Sequence, residues 1–271
     1  MEILVHVKAH EAAPEHVAVA IRLAKAPGAR LTDLHTLRDM AALRTMFSDG
    51  AAIVTQRQAE WDSKTEAAKS RFLADLRAQQ LDGSWLQGEG QASELLSFMG
   101  RLYDLVVVEQ TGADDPIDWD PAEETALGSG APTLVVPSVG NFPQVGERVV
   151  IACNHSREAS LAVRGAMPML VKAREVVVLS GQRRESFSSM THWPPHDLAE
   201  SLRCKGVAAR AERLVIEGET DGGGLLRAAY AHSADLLVMG AYGRSWMREW
   251  LLGGATRHVL RHMDLPVLFA H

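Results

Sequence analysis

Cysteine is nearly absent: Cys153 and Cys204 are the only two in 271 residues. Two thiols cannot make the framework of a disulfide-stapled scaffold, and they suit a reducing compartment. Long apolar runs are missing as well. The longest are strand-sized, such as residues 105–108 and 176–179, far short of the roughly 18 residues that read as a membrane span. The opening Met1-Glu2-Ile3-Leu4-Val5 has neither the basic start nor the small-residue cleavage site of a secretory signal. These absences predict a cytoplasmic chain with no membrane partner. Glycine (22) and proline (11) are not in excess, and 46% hydrophobic with 23% charged residues marks a globular composition.

Positive charge is also short. The net charge is −6, and it is unevenly spread: residues 1–145 hold 12 Lys/Arg against 21 Asp/Glu, and residues 146–271 hold 16 against 13. An acidic first half argues against nucleic acid, which needs a concentrated basic face. The weakly basic second half suits an anion.

What the chain does have is a repeated pattern. Apolar periodicity predicts strands at 3–7, 31–37, 85–88, 103–109 and 132–137, with helices at 16–26, 63–80, 91–101 and 121–127 between them. After Gly140-Asn141-Phe142-Pro143, which reads as a linker, the pattern starts again. Strands are predicted at 148–152, 175–180, 211–216, 235–240 and 266–270, with helices at 157–172, 197–206 and 225–232 and a last one running to about Met263. Strands that alternate with helices and read as unbroken Val/Ile/Leu runs indicate parallel sheets covered on both faces. The expected fold is α/β: two doubly wound, five-stranded parallel-sheet domains, residues 1–141 and 146–271, duplicated within one chain. The halves match best near their ends. Tyr103-Asp104-Leu105-Val106-Val107-Val108 aligns with Ala234-Asp235-Leu236-Leu237-Val238-Met239, and Pro132-Thr133-Leu134-Val135-Val136-Pro137 with Leu265-Pro266-Val267-Leu268-Phe269-Ala270.

The segment that points to chemistry is Met239-Gly240-Ala241-Tyr242-Gly243, nine further residues, then Gly253-Gly254-Ala255-Thr256. It follows a buried strand and opens a helix. Glycines let a backbone turn and approach a ligand without a Cβ in the way. Amides at a helix N-terminus, free of intrahelical partners and aligned with the dipole, favour phosphate. In an open parallel sheet ligands sit at the carboxyl ends of strands where connections diverge, so Gly240 and Asn154, each ending a strand, are expected to flank one crevice.

Those glycines, the duplicated β/α halves, and Ala152-Cys153-Asn154-His155-Ser156-Arg157-Glu158-Ala159 after the first strand of the second half resemble the universal stress protein family. The whole chain resembles its tandem form, two adenine-nucleotide α-hydrolase-like domains fused. In nucleotide-binding members a Gly-x2-Gly-x9-Gly-Ser/Thr loop cradles the ribose and phosphates of ATP, and an Asp after the first strand meets the nucleotide. The resemblance therefore implies an ATP or AMP site in the second half on Gly240, Gly243, Gly253, Gly254, Ala255 and Thr256. Ala152, Cys153 and Asn154 would lie below the base, with Met239 and Arg244 at the edge. Two positions depart from the pattern: Gly254 stands where a Ser or Thr hydroxyl is usual, with Thr256 close by, and Asn154 stands where the usual residue is Asp. The first half has lost the loop. After Val108 come Glu109, Gln110, Thr111, Gly112, Ala113, Asp114, Asp115 and Pro116, acidic where phosphate would need to sit. That half reads as structural or partner-binding.

Other pairings have plainer readings. Arg244 and Arg248 flank the loop and either meet phosphate or lie solvated on a surface helix. Trp246 and Trp250, four apart, read as a packing face. His258 and His262 have metal-ligand spacing, but with no third ligand they read as helix-surface histidines; His192 and His196 read likewise. Cys153, His155 and Ser156 are chain neighbours and point different ways, so no nucleophile is expected; Ser156 reads as a helix cap. Gly218 to Gly224 lacks the Lys-Ser/Thr of a phosphate-binding P-loop and reads as a turn capped by Thr220 or Asp221.

No catalytic residue and no metal site is predicted. The reading is a stress-response regulator or binding module with adenine nucleotide in its second half. The alternatives are a nucleotide-free scaffold acting through an unidentified protein partner and, with less in its favour, an adenylating or slowly ATP-hydrolysing enzyme. An adenylating enzyme of the related class would need a Ser-Gly-Gly-x-Asp-Ser stretch after the first strand, and neither half supplies one. The resemblance also implies pairing of the halves through strands 132–137 and 266–270, and a further homodimer.

Overall fold

A computed structural model describes residues 1–7, 14–37, 51–111, 121–180, 197–216, 220–242 and 254–271, with the side chains of 51–58 left undescribed. The chain divides into two compact units, Met1–Val139 and Gly140–His271. The first unit contains β1 (Glu2–Val5), α1 (Glu15–Leu23), β2 (Arg30–Leu37), α2 (Ala51–Ala78), β3 (Asp82–Glu89), α3 (Ala92–Gly100), β4 (Leu105–Glu109), α4 (Pro121–Gly128) and β5 (Thr133–Val136). The second contains β6 (Arg148–Cys153), α5 (Arg157–Leu170), β7 (Glu175–Ser180), α6 (Leu198–Cys204), β8 (Ala209–Arg213), α7 (Asp221–Ala231), β9 (Leu236–Gly240), α8 (Gly254–His262) and β10 (Val267–Ala270).

All pairings within each unit are parallel. The strand order is β3-β2-β1-β4-β5 in the first and β8-β7-β6-β9-β10 in the second. This is the doubly wound α/β layer that the duplication predicts. In both units the first strand lies beside the fourth, so connections diverge there and leave a crevice at the carboxyl ends of β1 and β4 and of β6 and β9. The cores are the strands themselves. Ile3, Leu4, Val106, Val107, Leu134, Leu236, Leu237, Val238, Val267 and Leu268 have no exposed surface, which is why these runs show no polar alternation. The helices repeat too: α1 packs on β1, β4 and β5, as α5 does on β6, β9 and β10, while α3 packs on α4 and α7 on α8.

The duplicated Asp before the fourth strand has a structural job. Asp104 accepts from the Glu2 amide at 2.8 Å. Asp235 accepts from the amides of Gly146, Glu147 and Arg148 at 2.7, 3.1 and 3.1 Å. Each carboxylate thus closes the amide end of its unit's first strand.

Several predicted boundaries are corrected: the strand expected over 85–88 runs Asp82–Glu89, paired along its length with β2, and the helix expected over 16–26 is Glu15–Leu23. The helix expected over 63–80 begins at Ala51, because no Gly or Pro interrupts residues 51–62. The strand expected over 211–216 is Ala209–Arg213, paired with β7. The helix expected from 225 begins at Asp221 and takes in the glycines read as a turn. Thr220 caps it, accepting from the Gly223 amide at 3.1 Å. Gly222 is there because α8 comes so near: a Cβ would stand 2.8 Å from the Ala255 carbonyl oxygen and from the His258 Cβ.

Candidate functional site

The register aligns Ala152 of β6 with Met239 of β9, so Cys153 and Asn154 continue one wall of the second unit's crevice and Gly240 the other. α8 begins with Gly254 beyond it. Of the implied nucleotide residues, Ala152, Cys153, Asn154, Met239, Gly240, Gly254, Ala255 and Thr256 fall in described segments; Gly243, Arg244 and Gly253 lie outside the described residues. So do Arg248, the Trp246–Trp250 face and His192 with His196.

Both described ends of the glycine loop are tied down. The Ala241 amide donates to the Ala270 carbonyl at 2.8 Å, and the Ala241 carbonyl accepts from the His271 imidazole at 2.9 Å. Tyr242, with a left-handed φ of 50°, donates its amide to Thr256 Oγ1 at 3.4 Å. Thr256 is buried, and with Oγ1 accepting from Tyr242 its O–H proton is what it can offer an anion.

The glycines have different reasons for being glycine. A Cβ on Gly240 would lie 2.5 Å from the Ala159 nitrogen and 2.7 Å from the Glu158 carbonyl carbon. The first turn of α5 therefore rests on Gly240, and packing alone requires a glycine there. Gly254 is the opposite case: nothing lies within 4 Å of a Cβ built on it. No steric demand keeps a hydroxyl residue out of that exposed position.

At the β6 exit, Asn154 Oδ1 accepts from the Ser156 amide at 3.0 Å, and Ser156 Oγ accepts from the Ala159 amide at 3.1 Å, capping α5 as its sequence indicates. His155 takes φ 59° to make the turn. Asn154 and His155 are exposed while Cys153 is buried. Burial pushes the Cys153 thiol up, which keeps it protonated and a poor nucleophile. The stacked rings of His258 and His262 are 4.2 Å apart, and their Nδ1 atoms are engaged by Thr220 Oγ1 at 3.3 Å and the His258 carbonyl at 2.8 Å. Among the described residues no group of three or more His, Cys, Asp or Glu could hold a metal ion.

The sequence reading overlooked a second polar cluster, in the first unit. Where β1 ends, His16 Nε2 donates to the His6 carbonyl at 2.7 Å and His35 Nδ1 to the Val7 carbonyl at 2.6 Å; a carbonyl only accepts, so these ring nitrogens carry the protons. Asp33 Oδ1 accepts from the Val7 amide at 2.9 Å. Thr65 Oγ1 lies 3.1 Å from His35 Nε2, Thr36 Oγ1 3.0 Å from His6 Nε2, and Glu109 Oε1 3.8 Å from His16 Nδ1. His6, His16, Asp33 and His35 are all buried. Burial lifts the Asp33 carboxyl from 3.8 to about 9, the Val7 amide opposing it only in part, and burial lowers His35. The available signal was Asp33 and His35 two apart in one predicted strand, hence on one face.

Residues 147–271 match the family model described as the universal stress protein family. A universal stress protein from Archaeoglobus fulgidus DSM 4304 is similar in structure, with a TM-score of 0.70 at 13% identity, over 99% of this chain and 97% of that one. A putative universal stress protein from Pseudomonas aeruginosa UCBPP-PA14 has a TM-score of 0.59 at 15% identity, over 99% and 92%. These likenesses establish the fold of both units. No curated protein is a match. No described helix is long and apolar enough to cross a membrane.

Proposed function

We propose that the second unit, whose residues 147–271 match the model of the universal stress protein family, binds an adenine nucleotide, ATP or AMP, and that the chain acts as a stress-response regulator. The observation that carries this reading is the adjacency of the β6 and β9 carboxyl ends, with Ala241 and Tyr242 tied to Ala270, His271 and Thr256 beside the amide end of α8. The base would lie over Ala152, Cys153 and Asn154. The phosphates would meet the amides of Gly254, Ala255 and Thr256, where partial positive charge collects. Asn154 keeps its side-chain NH2 for a ribose or base acceptor, because only its Oδ1 serves the Ser156 amide.

A nucleotide-free scaffold is the second reading, and one observation favours it: packing against α5 already accounts for Gly240. Isothermal titration calorimetry of the full chain with ATP and with AMP separates the two. One site of micromolar affinity, lost in Gly243→Asp, is the expected outcome. A folded chain that gives no heat with any adenine nucleotide overturns the proposal and turns the search to protein partners.

A further inference from the structure

Val7, just past the end of β1, has left the ladder, and its amide and carbonyl are held by two side chains of β2, Asp33 and His35. His16 of α1 holds the preceding carbonyl. We propose that this grip is a proton-operated latch in the first unit: it holds the β1 exit while Asp33 carries its proton, and loss of that proton releases the exit.

The surroundings of Asp33 explain why. Strand alternation puts Asp33 and His35 on one face of the sheet, with Trp85, the register partner of Asp33 on β3. The His35 and Trp85 rings stack at 5.1 Å, and Phe72 of α2 covers Trp85 at 6.0 Å. Asp33 has no exposed surface, and its Oδ2 and the Trp85 Nε1 are buried without hydrogen-bond partners among the described residues. No cation faces the carboxyl among the described residues. β1 offers it only the Val7 backbone, β2 the imidazole of His35, β3 the Trp85 indole and α2 the Thr65 hydroxyl. Of the α2 cations, Lys64 and Lys69 pair with Glu60 and Glu66 at 2.8 and 3.8 Å, Arg77 donates to the Leu73 carbonyl at 3.0 Å, and Arg71 has a partner of its own. The remaining titratable groups at the β1 exit have other partners: His6 turns to Thr36, and His16 to the His6 carbonyl and Glu109.

An ionised carboxylate accepts from the Val7 amide more strongly than the acid does, but one N–H does not offset the desolvation of a buried charge. The carboxylate must reach water, and the piece that can yield is the exit of β1, where among the described residues the Val7 backbone is bonded only by the two side chains. Local opening of such a segment is read by amide exchange.

The test is amide exchange at single residues in the full chain between pH 6 and 10.5, corrected for intrinsic rates, alongside the carboxyl carbon-13 signal of Asp33. Val7 protection is expected to fall at least about tenfold on passing pH 9, at the same midpoint as the Asp33 signal. Val150, inside β6, should keep its protection over the range. In Asp33→Asn the Val7 protection should no longer respond to pH. The latch is overturned if Asp33 titrates below pH 6, if Val7 and Val150 respond alike, or if Asp33→Asn loses Val7 protection at the wild-type midpoint. Should Asp33→Asn fail to fold, coincidence or divergence of the two wild-type midpoints still decides. His35→Gln adds a further check, with weaker Val7 protection at every pH and the Asp33 midpoint retained.

Discussion

The two units place a crevice at the same point of the same strand order and build it from opposite materials. In the second, the strand ends carry Asn154 and Gly240, Gly254 opens onto empty space, and the exit of β6 is a short backbone turn. In the first, the exit of β1 is gripped by His16, Asp33 and His35, and Glu109 ends β4 beside His16. A duplicated fold has therefore kept its scaffold while, among the described residues, one copy shapes its first strand's exit with a backbone turn and the other grips it with side chains. Topology fixes where a site can be; the residues at the strand ends decide whether it is one.

The largest effect should come from the second unit's own contrast between glycines. Gly240→Ala drives a Cβ into the backbone of Glu158 and Ala159, a clash with no flexible side chain to absorb it. We expect a loss of about 3 kcal/mol, against less than about 0.5 kcal/mol for Gly254→Ala at an open surface position. Urea unfolding of both variants checks this, and equal losses would mean that α5 does not rest on Gly240.

Next comes a gain in the first unit. Folding raises the Asp33 carboxyl from 3.8 to about 9, so between those values the folded chain keeps a proton that the unfolded chain has released. Asp33 therefore contributes most stability below the lower value, and that contribution falls as pH rises through the window and levels off above it. Asp33→Asn keeps an acceptor for the Val7 amide and cannot ionise. It should be more stable than wild type by about 2 kcal/mol at pH 8 and lose the downward slope. A variant less stable at pH 8, with the slope intact, would show that Asp33 is charged in the folded chain.

A third comparison uses the duplicated aspartates. Asp235 serves three amides where Asp104 serves one. Replacing each by Ala should cost about 2 kcal/mol for Asp235 and about 1 kcal/mol for Asp104. Thermal and urea midpoints of the two variants rank them, and a reversed order would mean that the count of amides does not set the value of the cap.

These contrasts also mark what could be read from the sequence. The strands at 105–109 and 236–240 were legible because a buried parallel strand leaves its composition, an unbroken apolar run, in one local stretch. The Asp before each was legible as a repeat, though its work on the first strand's amides was not. The spaced glycines between β9 and α8 were visible as a motif. The reason for Gly240 was hidden, since the turn of α5 that presses on it comes far earlier in the chain. The helical Gly222 was misread for the same cause: only the approach of α8 requires it. The Asp33 cluster escaped because its parts come from β1, α1, β2 and α2, and nothing short of the strand register sets them at bonding distance.

The smallest expected effect is also the one that bears most closely on the second crevice. Gly254→Ser restores the hydroxyl that nucleotide-binding members of the resembled family carry, at a position where a Cβ meets nothing within 4 Å. The substitution should leave folding stability within about 0.5 kcal/mol of wild type, since a serine at an exposed position in a helix's first turn is nearly neutral. Its hydroxyl would add one donor to the amides at the start of α8. A hydrogen bond to a charged phosphate is worth about 1.5 kcal/mol, so ATP affinity should rise by roughly tenfold in calorimetry. AMP, with fewer phosphate oxygens, should gain less. If ATP binds the wild type and the serine gains nothing, the phosphates do not lie at the amide end of α8, and the open half of the comparison has to be redrawn around Asn154.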